Sequence, residues 1–156
     1  MRQYPESFDE IKPAGPLRRL GALLYDFMIT VALWMVIGAL AVSVNGGEAT
    51  DPTRPALLQT ILLIITFVFF AFFWTRNGQT LGLQAWRLRV QTPEGQSLNW
   101  WQALLRFMAA GLSIAALGLG YLWMFIDRDG LSLHDRLSGT CVVELPKQKR
   151  KKKSTK

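Results

Sequence analysis

The chain has 156 residues, room for one compact domain, and its 18 Lys and Arg against 11 Asp and Glu give a net charge of +7. A single cysteine, Cys141, excludes an internal disulfide; with only one histidine, neither a transition-metal site of His and Cys ligands nor another cofactor is expected. Half of the residues are hydrophobic, and the charges gather in short segments between long apolar runs, which excludes an ordinary soluble domain and predicts a membrane protein.

Residues 1–15 are polar and read as an N-terminal tail, without a cleavable signal peptide because no small-residue cleavage site follows the first apolar run. That run, residues 20–44, carries one charge, Asp26. About 20 apolar residues suffice to cross a bilayer as a helix, so the run is a spanning segment. A carboxylate inside such a helix costs roughly 2.5 to 3.5 kcal/mol on insertion scales, so Asp26 is expected to face protein or water and is a functional candidate. Arg19 precedes it by seven residues. Those residues turn a helix through about 700°, which puts the two side chains on nearly the same face, and they read as one site.

A second apolar run follows at residues 56–75. The loop before it, around Gly46, Gly47 and Pro52, holds Arg54 against Glu48 and Asp51, whereas residues 76–101 hold Arg76, Arg87 and Arg89 against Glu94. The tail at 147–156 has seven Lys or Arg. Basic segments stay cytoplasmic, so both termini and residues 76–101 are expected inside the cell membrane and the Gly/Pro-rich loop outside. Trp86, Leu88 and Val90 alternate with Arg87 and Arg89, the period of a half-buried strand. Pro93-Glu94-Gly95 reads as a turn, residues 97–100 as a partner strand and residues 139–145 as a third strand. The competing reading lays residues 83–90 along the membrane interface with Trp86 at the headgroups. Trp100, Trp101 and Trp123 read as interface anchors.

The third apolar run, residues 107–126, raises a parity problem, because one more complete span would carry the basic tail outside. It contains Gly111, Gly118 and Gly120, each costing a helix interior about 1 kcal/mol relative to Ala. A broken or re-entrant pair of half-helices is favoured over a continuous tilted helix. The expected fold is an all-α integral membrane protein with two full transmembrane helices, a third glycine-broken or re-entrant segment and a small cytoplasmic β element. Beyond it, Asp127-Arg128-Asp129-Gly130 lacks the later ligand positions of a calcium loop and reads as a turn. Ser132 followed by Asp135 is a helix N-cap signature, preferred over a proton relay through His134. The basic tail, residues 146–156, reads as disordered and attracted to anionic lipid headgroups by about 1 kcal/mol per basic residue, with no specific nucleic acid as partner.

Five blocks, Arg19-Leu20-Gly21-Ala22-Leu23-Leu24-Tyr25-Asp26, Gly78-Gln79-Thr80-Leu81-Gly82, Trp86-Arg87-Leu88-Arg89-Val90, Leu117-Gly118-Leu119-Gly120-Tyr121-Leu122-Trp123 and Leu133-His134-Asp135-Arg136-Leu137-Ser138-Gly139-Thr140, together resemble the RDD family of small membrane proteins. The resemblance covers about residues 16–145. The arginine and two aspartates for which that family is named would correspond to Arg19, Asp26 and Asp135. It implies a membrane fold, and a role in transport of small solutes or ions has been suggested for the family.

Arg19, Asp26 and Asp135 are therefore the candidate ion-coupling or structural polar site, with Arg106, Asp127, His134 and Arg136 as accessory candidates. In the functional reading a buried carboxylate exchanges a proton for a cation. In the structural reading Asp26 locks onto another helix while Arg19 snorkels to the interface. Arg106 is placed to approach Asp26 or lipid phosphate, and Asp135 to pair with Arg19 beneath a C-terminal lid. Transport implies a path between the subunits of a homo-oligomer. The alternative is a non-catalytic membrane scaffold or assembly factor, using the small residues Gly21, Ala22, Gly38 and Ala39 for close helix contacts. No nucleophile stands beside a base at a recognisable spacing, and no P-loop or dinucleotide fingerprint is present, so an enzyme is not expected.

Overall fold

The computed structural model describes residues 1–5, 11–44 and 55–146. The Gly/Pro-rich loop around Gly46, Gly47 and Pro52 and the basic tail from Lys147 lie outside the described residues. Strand β1 (Lys12–Pro13) leads into helix α1 (Pro16–Val44), followed by α2 (Pro55–Arg76), α3 (Leu81–Ala85), β2 (Leu88–Gln91), α4 (Trp100–Ala115), α5 (Leu119–Leu122), a 3-10 turn (Trp123–Phe125), α6 (Leu133–Ser138) and β3 (Cys141–Glu144).

The 29 residues of α1 and the 22 of α2 are unbroken and apolar. At 1.5 Å per residue they reach about 43 and 33 Å, each more than the roughly 30 Å of a hydrocarbon core. They are the two transmembrane helices. The third run breaks as its glycines predict. Helix α4 ends at Ala115, Leu117 and Gly118 take φ of 54° and 80°, and the Gly118 N–H closes onto the Ser113 carbonyl at 2.7 Å. The chain then bends by 108° into α5 and the 3-10 turn. Gly118 supplies the left-handed backbone that ends the helix. Gly120 has a different task, since a Cβ there would overlap the Ser113 side chain. Gly111 breaks nothing; it sits inside α4 with open space around it.

The small sheet has strand order β1-β3-β2 and is antiparallel throughout, pairing Pro13 with Val143, Arg89 with Val143 and Val90 with Val142. This corrects the expected pairing of β2 with residues 97–100. Those residues serve other ends: the Ser97 N–H donates to the Arg2 carbonyl, and Asn99 caps α4 in a capping box with Gln102. The alternation read in residues 86–90 as half-burial is also corrected, because all four residues of β2 are buried. Leu88 and Val90 join the core with Ala14, Ala22, Leu83 and Val142, while Arg89 lies on the ring of Tyr4. Both faces of the strand are covered, partly by residues 1–5 and 11–15, which were read from the sequence as a tail. Those residues instead supply β1 and a bridge between Gln3 and Gln96.

The sheet fixes the topology. One of its strands precedes α1, one follows α2 and one follows the broken segment, and strands that share hydrogen bonds lie on one side of the bilayer that α1 and α2 cross. The segment between β2 and β3 therefore enters and returns on the side it came from. Within the membrane layer, Trp34 Nε1 donates to Thr66 Oγ1 at 2.8 Å, tying α1 to α2, and the Phe67 and Phe107 rings meet edge to face at 5.4 Å, tying α2 to α4.

Short helix α3 packs directly on the first turns of α1. Gly21 lies under the Trp86 indole, and Gly82 lies against the Ala22 carbonyl so closely that a Cβ would overlap it. Gly21 and Ala22, expected to mediate contacts between helices of an assembly, are thus used inside the chain. Gly82→Ala should lower stability by about 1 to 3 kcal/mol through overpacking. Gly111→Ala, on an open helix face, should be neutral or raise stability by up to about 1 kcal/mol. Thermal unfolding of both variants in detergent checks the pair; equal effects would mean that α3 does not bear on α1.

Candidate functional site

Two separate polar centres form where the sequence reading placed one. The larger is built on Asp135, the third residue of α6, whose side chain is fully buried. Ser132 at the N-cap and Asp135 form the predicted capping box, and the carboxylate accepts the Ser132 N–H at 3.2 Å. The same carboxylate holds two arginines. Arg19 Nη1 donates to Oδ2 at 2.8 Å, and Arg106 Nη1 donates to Oδ1 at 2.5 Å. The cap and the pairing with Arg19, read as separate roles, are both filled by one side chain.

Each arginine is positioned by its own element. Arg19, in the first turn of α1, also gives Nε to the Ala14 carbonyl at 3.0 Å and Nη2 to the Val142 carbonyl at 3.4 Å, so it straps α1 to the sheet. Arg106 lies on the buried stripe of α4 with Ala103, Ala109 and Ser113. It also donates to Thr140 Oγ1 at 2.7 Å, and its guanidinium sits 5.5 Å from the centre of the Trp74 ring. Burial alone would push the pKa of Asp135 up, but Arg106 and Arg19 outweigh it and hold the carboxyl well below the usual carboxylate range. It stays ionised. Desolvating such a group costs several kcal/mol, which only close pairing and added hydrogen bonds offset.

His134 sits against this cluster, buried, with Nε2 2.9 Å from Ser132 Oγ and its ring 4.6 Å from that of Tyr121. Burial first, and then the Arg106 charge, lower its pKa to about 3. It is therefore neutral at physiological pH, which disfavours the proton-relay reading. Arg136 and Asp127 stand apart from the cluster. Arg136 Nε donates to Asp127 Oδ1 at 2.7 Å and Nη2 to Asp129 Oδ2 at 3.1 Å, while Asp127 accepts the Asp129 and Leu131 N–H groups. They form the turn read at residues 127–130.

The second centre is Asp26, buried one and a half turns above Gly21. Its Oδ2 accepts from Thr80 Oγ1 at 2.5 Å and its Oδ1 from the Gly82 N–H at 2.9 Å. Thr80 is itself the N-cap of α3 and accepts the Leu83 N–H at 3.2 Å. The Arg19 and Asp26 pair of the functional reading does not form, and no hydrogen bond or ion pair joins Arg106 to Asp26 among the described residues. Seven residues of helix separate Arg19 from Asp26 by about 10 Å along the axis, and Asp135 offers both arginines a nearer carboxylate. Among the described residues Asp26 makes no ion pair.

Thr80, Gly82, Thr140 and Trp74 were not singled out as site residues. A threonine before a short helical stretch is a cap signal, but that its helix would present its amino end to a carboxylate inside α1 has no local signature. Residues 13–139, which take in Arg19, Asp26, Arg106 and Asp135, match the RDD family. No curated protein and no solved structure matches. The chain belongs to the RDD family.

Removing the shared carboxylate leaves two buried guanidiniums uncompensated, so Asp135→Ala should cost about 3 to 5 kcal/mol in an unfolding measurement. His134 should give the wild-type protein a pH signature. Between its unfolded pKa of about 6.5 and its folded value of about 3 only the unfolded chain binds the proton, so stability falls as pH drops below 6.5, by up to about 1.4 kcal/mol per pH unit. In His134→Gln the unfolding temperature should lose most of that slope between pH 6.5 and 4.5.

Proposed function

We propose that this membrane protein carries protons and small cations across the bilayer, without enzymatic chemistry, and that Asp26 is the exchanging group. The observation that carries this reading is a buried carboxylate at membrane depth, held by a hydroxyl and one backbone N–H rather than by a cationic side chain. Neutral donors can hold a carboxylate in either protonation state or release it to a cation, whereas a guanidinium would pin it as an anion. Asp135, Arg19 and Arg106 then serve as the fixed frame against which α1 and α3 are set. This revises the Arg19 and Asp26 pair of the sequence reading to a single coupling carboxylate.

A substrate path needs more wall than one chain provides. Apolar residues on the outer part of α1, including Met35, Val36 and Leu40, and Leu63, Ile64 and Val68 on α2, are exposed. In this reading some of these faces meet a second copy, and the path runs between subunits. The basic segments orient both termini and the sheet toward the cytoplasm of the cell.

A scaffold or assembly role is the other reading, favoured by the fact that both oxygens of Asp26 already serve to dock α3. Asp26→Asn separates the two. Asn keeps a carbonyl acceptor for Gly82 and places an amide opposite Thr80, so α3 can stay docked without a titratable group. In liposomes loaded with a pH-sensitive dye, the variant should insert normally and lose cation-driven proton flux. Full flux in well-folded Asp26→Asn would leave the scaffold reading standing.

A further inference from the structure

The buried cluster around Asp135 does not balance its own charge. Arg19 and Arg106 both pair with its one carboxylate, and His134 beside them is neutral, so two guanidiniums against one carboxylate leave a net charge of +1 among side chains no more than 9% exposed. A charge so poorly hydrated attracts an anion of single charge.

Arg19 is the member of the cluster that reaches open space. It lines a cavity of about 260 Å³ between β1, the end of β2, the start of β3 and the turn before α6. Arg19 Nη1 and Nε are held at 2.8 and 3.0 Å by Asp135 and the Ala14 carbonyl, but Nη2 meets the Val142 carbonyl only at 3.4 Å, beyond the roughly 2.7–3.2 Å of an ordinary N–H···O bond. That edge of the guanidinium is largely unspent. Gln91 stands in the same wall. Its Oε1 accepts from Arg89 Nε at 3.1 Å, and its Nε2 makes no hydrogen bond among the described residues, which leaves the amide N–H groups as further donors. Exposed Lys12 adds a second cation. The one carboxylate in the wall among the described residues, Asp129, is 69% exposed and accepts from Arg136 Nη2 at 3.1 Å. Pro13, Leu131, Val142 and Val143 make the rest of the wall largely apolar.

We propose that this cavity binds a small monocarboxylate with an apolar body, its carboxylate on Arg19 Nη2 and the Gln91 amide and its body against Leu131, Val142 and Val143. The volume lies just below the roughly 300–1,000 Å³ of ordinary ligand sites, which suits a small acid. One net positive charge matches a carboxylate better than a phosphate dianion, and a planar carboxylate fits the edge of a guanidinium. Asp26 takes no part in the cavity, so the site does not depend on whether that group exchanges protons.

Cys141 lies in the same wall and reports on occupancy. Its Sγ is 3.9 Å from the Thr92 carbonyl, and burial pushes the thiol pKa up, so it reacts slowly. The full-length protein in neutral detergent is titrated with para-fluorobenzoate and with para-fluorobenzamide, its neutral counterpart of the same shape, and binding is followed by fluorine NMR. Alkylation of Cys141 by N-ethylmaleimide is timed with and without each compound by intact-protein mass spectrometry. Two variants accompany the titration: Lys12→Gln, and Gln91→Glu, which keeps an acceptor for Arg89 but replaces the amide donor by a carboxylate. Lys12 is exposed, so its variant carries the test by itself if Gln91→Glu does not fold. Saturable binding of one benzoate is expected, at least about tenfold tighter than the benzamide, with Cys141 alkylated about fivefold more slowly at saturation. Affinity should fall roughly threefold in Lys12→Gln and about tenfold or more in Gln91→Glu. The site is overturned by absence of saturable binding, by equal affinity for the benzamide, by benzoate binding that leaves the alkylation rate of Cys141 unchanged, or by affinity unchanged in every folded variant.

Discussion

One carboxylate, that of Asp135, gathers parts of the chain that are far apart in sequence. It takes Arg19 from the first turn of α1, Arg106 from the second turn of α4 and the Ser132 N–H of its own helix, and Arg106 in turn reaches Thr140 beside β3. A buried anion tolerates no loose partner, because each missing hydrogen bond exposes the full cost of desolvation. The geometry of all four elements is therefore coupled at this point. The antiparallel sheet carries the same constraint outward, and together they hold the start of α1, the loop after α2 and the C-terminal block on one membrane side.

The broken segment follows from that constraint. A chain whose β2 and β3 must pair cannot cross the membrane between them, and α4 with α5 resolves this by turning back at Leu117 and Gly118. Backbone at such a turn is tolerable only if its polar groups are satisfied within the protein. The Gly118 N–H bonds the Ser113 carbonyl, and the close seat of Gly120 on Ser113 presses the returning arm onto α4. Tyr121 then brings its ring against His134, so the returning arm and the Asp135 cluster support each other.

Asp26 stands in contrast to Asp135. Asp135 is fixed by two guanidiniums, whereas Asp26 is held by a hydroxyl and a backbone N–H from α3, so the first is set by charge and the second by neutral donors. The contact also explains why Gly82 is a glycine: the helix that caps Asp26 must approach the backbone of α1 at Ala22 more closely than any side chain allows.

The sequence alone determined the elements whose cause is local. Two long apolar runs can only be spanning helices in a bilayer, a left-handed Gly118 ends a helix, and Ser132 with Asp135 caps one; each was legible because a short window contains its whole physics. That Arg19, Asp26 and Asp135 would need polar partners was legible too, since charges at the edge of or within apolar runs must find them, but not that they divide between two centres. Which partner each would find was decided only by the tertiary structure. Helical spacing put Arg19 on the face of Asp26, yet about 10 Å of axial rise left room for a carboxylate 116 residues away to take it. The pairing of β2 with β3 rather than with residues 97–100, and the burial of both faces of β2, likewise depend on the N-terminal residues folding back over the sheet. A strand's periodicity records its own side chains but says nothing of what later covers them.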